Sequence, residues 1–372
     1  MAEILLVSKP VAPPWNDSGK NLVRDLARGL TRHRPTVMAA GPLPAELSHA
    51  RRAGVYGAPG TFAPALIDQA RVFAYLCGSR GHALWHFFFA PNPRSCRAGA
   101  LARRLHVRSR LRVLHTLSSA PRDPRSTVTH LFADLNVVLS GHTERRLLEA
   151  GLAPDRVRRI APAIAPLVPC APDQQARLRQ ALGLPLTAPL IVFPGDLEFG
   201  EGARLMLDAT AALAPRHDAV LVMACRGKTA AAGEAEARLR AHVAVLGLTA
   251  RVLFVGETPR IHDLLACADV VALPSVDLYA KMDYPLVLLE AMSLARAVVI
   301  AEGSAAEELS AGHSAIALPA QADALAAGLA RLLDDASARS RLGEAARRAV
   351  LERYALPIMA EAYERLYDEL LR

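Results

Sequence analysis

Short apolar runs alternate along the chain with longer stretches in which leucine and alanine recur at helical spacing. In the first half the strand-like runs are Glu3–Ser8, Thr36–Ala40, Leu84–Phe89, Leu111–Thr116 and Asn136–Gly141. After the first run comes a polar loop ending at Asn16–Lys20. Leu22, Leu26 and Leu30 then set a helix that Asp17 or Ser18 would cap. A Pro-rich segment, Ala161–Pro172, cannot continue a helix and reads as an extended linker. The second half is more regular. Its runs are Leu190–Gly195, Ala219–Cys225, Arg251–Gly256, Asp269–Ser275, Ala297–Gly303 and Ser314–Pro319, with helical patterns between them. Runs this uniformly apolar suit strands buried on both faces, and strand–helix alternation implies parallel, doubly wound sheets. The expected architecture is therefore α/β with two Rossmann-like domains, 1–165 and 166–355. A last amphipathic helix over 356–372 carries Ile358, Ala362, Leu366 and Leu370 and returns to pack on the first domain.

Composition narrows the function classes. A length of 372 residues fits two domains. No apolar run approaches the ~18 residues of a membrane-spanning helix. The N-terminus reads as a first strand, not a signal peptide. Five scattered cysteines without a CxxC pair support neither a disulfide framework nor a zinc site, so a cytoplasmic setting is the expectation. The net charge of +8 is uneven: residues 1–170 hold 24 Lys and Arg against 10 Asp and Glu. Such a half suits an anionic acceptor or an anionic membrane face, or it reflects an arginine-rich composition and nothing more. No nucleic-acid motif accompanies it, so no nucleic-acid partner is expected.

The most informative stretch is Lys281–Leu309. Pro285 sits where a helix would start, and proline suits the first helical position. The amides of Leu286 and Val287 would then point out of the helix end, where the dipole favours an anion. Glu290, one turn on, has two oxygens that can take both hydroxyls of a ribose. No GxxxxGK[ST], GxSxG or HExxH is present, which leaves P-loop, serine-hydrolase and zinc-protease readings without support.

This stretch resembles the signature of retaining glycosyltransferase family 4, whose members have the GT-B fold. Leu286–Met292 and Ala297–Val299 carry the resemblance. Gly195–Ala209, Val252–Ser275 and Val138–Ile160 extend it, and the first 135 residues fit loosely. It implies two domains facing a cleft, with a nucleotide sugar such as a UDP- or GDP-sugar on the second and an acceptor on the first. It also implies transfer with retention, with no metal and no other cofactor. Donor binding falls on Glu290 at the ribose, with Pro285, Leu286, Val287, Gly195 and Gly256. His115, in a His-Thr strand context, would contact the donor sugar and reaction centre. Asn16, Asp17, Gly19 and Lys20 form the counterpart of the family's Gly-rich loop and would hold the acceptor, a small molecule or a lipid-linked, anionic one. Peripheral membrane contact through the basic first domain goes with the latter.

Three departures stand out. The first Glu of the family's pair is Met282, with Asp283 beside it as a substitute in the catalytic set. The loop that usually brings Arg and Lys to the donor diphosphate has Asp196 and Glu201, a reversal worth several kcal/mol of repulsion near a diphosphate unless compensated. Arg226, Lys228 and Lys281 are candidates to restore the charge. These losses motivate an alternative reading, a GT-B binding or partner subunit without transferase activity.

Overall fold

The computed structural model describes residues 1–58, 64–106, 110–279 and 281–372. Contacts divide the chain into two units. The first comprises Met1–Ala165, Lys281–Tyr284 and Tyr354–Arg372; the second comprises Pro166–Ala280 and Pro285–Arg353.

The first unit is built on strands β1 (Glu3–Val7), β2 (Arg34–Met38), β3 (Arg51–Ala53), β4 (Leu84–Phe88), β5 (Arg112–Leu117), β6 (Leu135–Val138) and β7 (Val157–Arg159). They form one sheet in the order β3-β2-β1-β4-β5-β6-β7, with every pairing parallel. Helices α1 (Ser18–Gly29), α2 (Leu66–Gly78), α3 (Pro93–Arg104), α4 (Pro124–Val128) and α5 (Gly141–Glu149) follow the strand ends. The strand order reverses between β1 and β4. In open parallel sheets such a switch point is where ligand loops gather, beyond the strand C-termini.

The second unit starts with α6 (Pro172–Ala181). Its strands are β8 (Leu190–Phe193), β9 (Val220–Met223), β10 (Val252–Phe254), β11 (Val270–Leu273), β12 (Ala297–Ala301) and β13 (Ile316–Leu318), in the order β10-β9-β8-β11-β12-β13. All are parallel, with Val270 opposite Ile191 across the switch point between β8 and β11. Helices α7 (Gly202–Leu213), α8 (Ala232–Val245), α9 (Ile261–Cys267), α10 (Leu286–Ser293), α11 (Ala322–Asp334) and α12 (Ala336–Arg353) complete it. Part of the Pro-rich segment is tied down within this unit. Leu167 N donates to Ser293 Oγ at 2.7 Å, and Arg347 donates to the Leu167 carbonyl at 2.6 Å.

The last helix, α13 (Leu356–Leu371), belongs to the first unit. Its buried face is Met359, Ala360, Tyr363, Glu364, Leu366 and Tyr367, while Ile358 is exposed. The stripe expected from Ile358, Ala362, Leu366 and Leu370 is therefore rotated. Met359, Tyr363 and Tyr367 share the same four-residue spacing and offer larger side chains, so their burial sets the face. Tyr367 Oη lies 2.7 Å from His86 Nδ1, and His86 Nε2 lies 2.7 Å from Thr116 Oγ1, which lies 3.0 Å from Tyr363 Oη. This network, in a fully buried layer, satisfies polar atoms that would otherwise be costly there. Burial also holds the His86 imidazole well below its ordinary pKa, hence neutral. Among the described residues, no helix is long and apolar enough to cross a membrane.

Candidate functional site

In the second unit three loops leave the C-terminal ends of β9, β8 and β11, neighbours around the switch point. The loop after β8 turns at Gly195. A Cβ there would lie 1.8 Å from the Phe193 ring, so only glycine lets the chain pass. At Gly202 a Cβ would meet Ser275 Oγ at 2.1 Å, so glycine also sets the close approach of the β8 and β11 loops. Phe199 and Tyr279, from the same two loops, meet edge to face with centroids 6.0 Å apart.

Helix α10 starts behind the β11 loop. Its N-cap is Pro285 (φ −55°, ψ 123°), one position earlier than the first helical turn where the sequence suggested it. The Pro285 carbonyl accepts from Leu288 N at 2.9 Å, which leaves the amides of Leu286 and Val287 outside the helix ladder. The buried Leu286 side chain fixes this end of the helix. Glu290, half-buried, has Oε1 3.5 Å from His262 Nε2 on α9. A helix end that favours an anion, with a carboxylate one turn on, can hold a phosphate and a pair of hydroxyls.

The charge reversal in the β8 loop has a local answer. Asp196 Oδ1 and Lys228 Nζ, the latter on the loop after β9, are 2.7 Å apart with only 5% and 6% of their side chains exposed. Glu198 Oε1 accepts from the backbone amides of Lys228 and Thr229, each at 2.9 Å, which joins the two loops. Asp196 thus already balances the charge of Lys228. Glu201 is exposed at the start of α7 and makes no side-chain cap. Arg226 and Lys281 are half-buried. Gly256 (φ +63°) follows β10, two strands from β8, and is set apart from the other donor candidates. A cavity of about 420 Å³ lies against α7 and α8, lined partly by Glu198, Glu201 and Arg204 of this loop region.

In the first unit the switch-point loops follow β1 and β4. The β1 loop holds three of the sequence candidates in internal roles. Asp17 caps α1 through Lys20 N at 3.1 Å, and its other oxygen meets Lys9 Nζ at 3.1 Å. Lys20 is buried and donates to the Ala12 carbonyl. Gly19 sits in the first turn of α1, where a Cβ would lie 3.1 Å from Asp17 Oδ1, and Asn16 is half-buried. His115 lies inside β5, fully buried among Phe87, Phe89 and Phe132. Its Nε2 meets the carbonyl of Phe89, the first residue after β4, at 2.9 Å, and its Nδ1 has no partner among the described residues. Desolvation lowers its pKa to about 4, so it is neutral at pH 7.

Asp283 does not stand in the open. It is 1% exposed, and Ser140 Oγ and Thr143 Oγ1 each donate to its Oδ2 at 2.6 Å, at the N-terminal end of α5. Burial raises its pKa, partly offset by those two hydroxyls. Met282 is buried beside it. Nothing local in the sequence points to the partners of Asp283, and the direct pairing of Asp196 with Lys228, one of the three candidate cations, shows only in the fold. Each links residues far apart in the chain.

Two doubly wound parallel sheets, each with its ligand-type loops at a switch point, define the class: the chain has the GT-B fold of glycosyltransferases. Residues 174–349 match the family described as Glycosyl transferases group 1. The chain is similar to D-inositol 3-phosphate glycosyltransferase of Corynebacterium jeikeium, 28% identical over 247 residues that cover 64% of this chain and 58% of that one. A glycosyltransferase of Methanocaldococcus jannaschii, itself described as uncharacterized, is 27% identical over 199 residues, 52% and 48% of the two chains. The chain thus spans about half the length of the curated relatives it matches. Among solved structures, Anabaena HepE in complex with UDP and glucose has a TM-score of 0.78 at 19% identity, covering 99% of this chain and 100% of that one. Sucrose-phosphate synthase from Thermosynechococcus elongatus has a TM-score of 0.76 at 21% identity, covering 100% and 99%.

Proposed function

We propose that this protein is a glycosyltransferase that moves a sugar from a nucleoside-diphosphate sugar to an acceptor, with retention and without a metal. The observation that carries the reading is α10. Its first amides stand clear of the helix ladder beside a switch point, and Glu290 follows one turn later, inside the stretch that matches the glycosyltransferase family. In this reading the Leu286 and Val287 amides take a donor phosphate and Glu290 accepts from the ribose hydroxyls. Lys228 and Arg226 supply positive charge to the diphosphate as it leaves. HepE, with the same fold, was solved with UDP and with UDP-glucose, which makes uridine nucleotides the first ligands to try.

The loop after β1 in the first unit would hold the acceptor. His115 is fully buried, meets the Phe89 carbonyl and is neutral at pH 7, so it acts as a wall of this unit and not as a charged acid. Catalysis then rests on positioning and on stabilising the leaving diphosphate.

The burial of Met282 and Asp283 favours one alternative, a GT-B binding subunit that holds a nucleotide and transfers nothing. One experiment separates the two. The protein is incubated with UDP-, GDP- and ADP-sugars, and both the melting temperature and release of the nucleoside diphosphate are followed. A rise in melting temperature with slow release supports the transferase, and a rise without release supports the binding subunit. No response to any of them rejects both.

A further inference from the structure

The pairing of Asp196 with Lys228 bears on how the nucleotide-sugar site proposed above meets its ligand, and its functional meaning rests on that reading. We infer that Asp196 is a positioning residue that holds Lys228, one of the cations proposed to meet the donor phosphate, and competes for its charge.

The geometry has three parts. Nζ and Oδ1 are 2.7 Å apart, and both side chains are more than nine-tenths buried. Water therefore screens the pair poorly, and its charges act at short range. The two residues sit on the loops after adjacent parallel strands, β8 and β9, at the strand end where ligands gather. The lysine is also fixed at its root and along its length. Glu198 holds the Lys228 and Thr229 amides, and Nζ lies 5.7 Å over the Phe199 ring, whose own partner Tyr279 comes from the β11 loop that leads to α10.

A lysine held in this way keeps its position but not its full charge. An arriving phosphate must share the ammonium with a carboxylate that repels it. Asp196 thus lowers anion affinity while keeping Nζ in place. Neutralising Asp196 removes that competitor and leaves more of the ammonium's field to the ligand. A pair with a purely structural role would affect stability and leave nucleotide affinity alone.

The test is titration of UDP, with inorganic pyrophosphate as a second anion, against the wild-type chain, Asp196→Asn, and the electroneutral double variant Asp196→Asn with Lys228→Gln. The expected order of affinity is Asp196→Asn tightest, by about tenfold over wild type, then wild type, then the double variant. The salt dependence of UDP binding should steepen in Asp196→Asn and flatten in the double variant. A folded Asp196→Asn chain that binds UDP no more tightly than wild type overturns the inference. Should that variant fail to fold, the double variant decides: wild-type affinity and salt slope there overturn the inference, and weaker binding supports it. A wild-type chain that binds no nucleoside diphosphate overturns the nucleotide reading itself. Wild-type binding with the order above broken overturns only the role of Asp196.

Discussion

Replacing Asp283 by alanine removes the acceptor that Ser140 and Thr143 both use. Buried hydroxyls left without a partner cost about 1–3 kcal/mol each. Ser140 Oγ still accepts from Thr143 N, so that end of α5 keeps its cap. Removing a desolvated carboxylate also returns some energy near neutral pH. The expected net loss for Asp283→Ala is about 2 kcal/mol. Asparagine keeps an acceptor oxygen without the charge, so Asp283→Asn should stay within about 1 kcal/mol of wild type. The sign of the pH effect follows from the raised pKa of Asp283. The folded chain holds this proton more tightly than the unfolded chain does. The contribution is therefore fully present below the ordinary carboxylate range and is lost as pH rises through the folded value. Wild type should lose stability relative to Asp283→Asn over that window. The assay is urea unfolding followed by tryptophan fluorescence. Both tryptophans, Trp15 and Trp85, lie in the first unit, so the signal reports that unit even if the two units unfold separately. Equal urea midpoints for wild type and Asp283→Ala, at acid and neutral pH alike, would refute the reasoning.

Two further substitutions test the frame around the site. Tyr367→Phe removes the hydroxyl next to His86 Nδ1 in a fully buried layer, and the same fluorescence assay should show a loss of about 1–3 kcal/mol; an unchanged midpoint would mean that the network holds nothing together. Gly195→Ala places a Cβ inside the Phe193 ring, so the loop or the ring must shift at a cost of about 1–3 kcal/mol, and UDP affinity should fall with it. Wild-type stability and affinity in that variant would show that the β8 loop does not form the site.

Much of the fold is legible in the chain because buried parallel strands are apolar almost throughout. Every apolar run of the sequence overlaps a strand of the two sheets, with the bounds of β2, β5 and β6 shifted by one or two residues. The strands that such a search misses are β3, with the sequence Arg-Arg-Ala, and β7, with Val-Arg-Arg. Both are sheet edges of three residues, and edge strands carry charge that keeps other chains from pairing there, which hides them from a search for apolar runs. The orientation of α13 escapes for a related reason, since spacing alone cannot choose between two stripes and the aromatic one buries more area.

At the site, α10 and Glu290 are visible in the sequence because a helix start and its first turns are local. The setting of Asp196 is not, although Asp196 and Lys228 each stand out as unusual. Their contact spans a whole strand–helix–strand unit, and only the parallel pairing of β8 with β9 brings them together. Asp283 likewise looks available for catalysis until the fold places Ser140 and Thr143 on it.

The central claim is that α10 holds a nucleoside diphosphate with Glu290 on its ribose. Calorimetric titration of wild type and Glu290→Ala, each with UDP and with 2′,3′-dideoxy-UDP, measures that contact directly. Hydrogen bonds to a charged group contribute about 1.5–3 kcal/mol, so wild type should bind UDP at least tenfold more tightly than the dideoxy compound. Glu290→Ala should bind both equally and weakly. A wild-type chain that treats the two nucleotides alike, or a Glu290→Ala chain that still prefers UDP, would contradict the account.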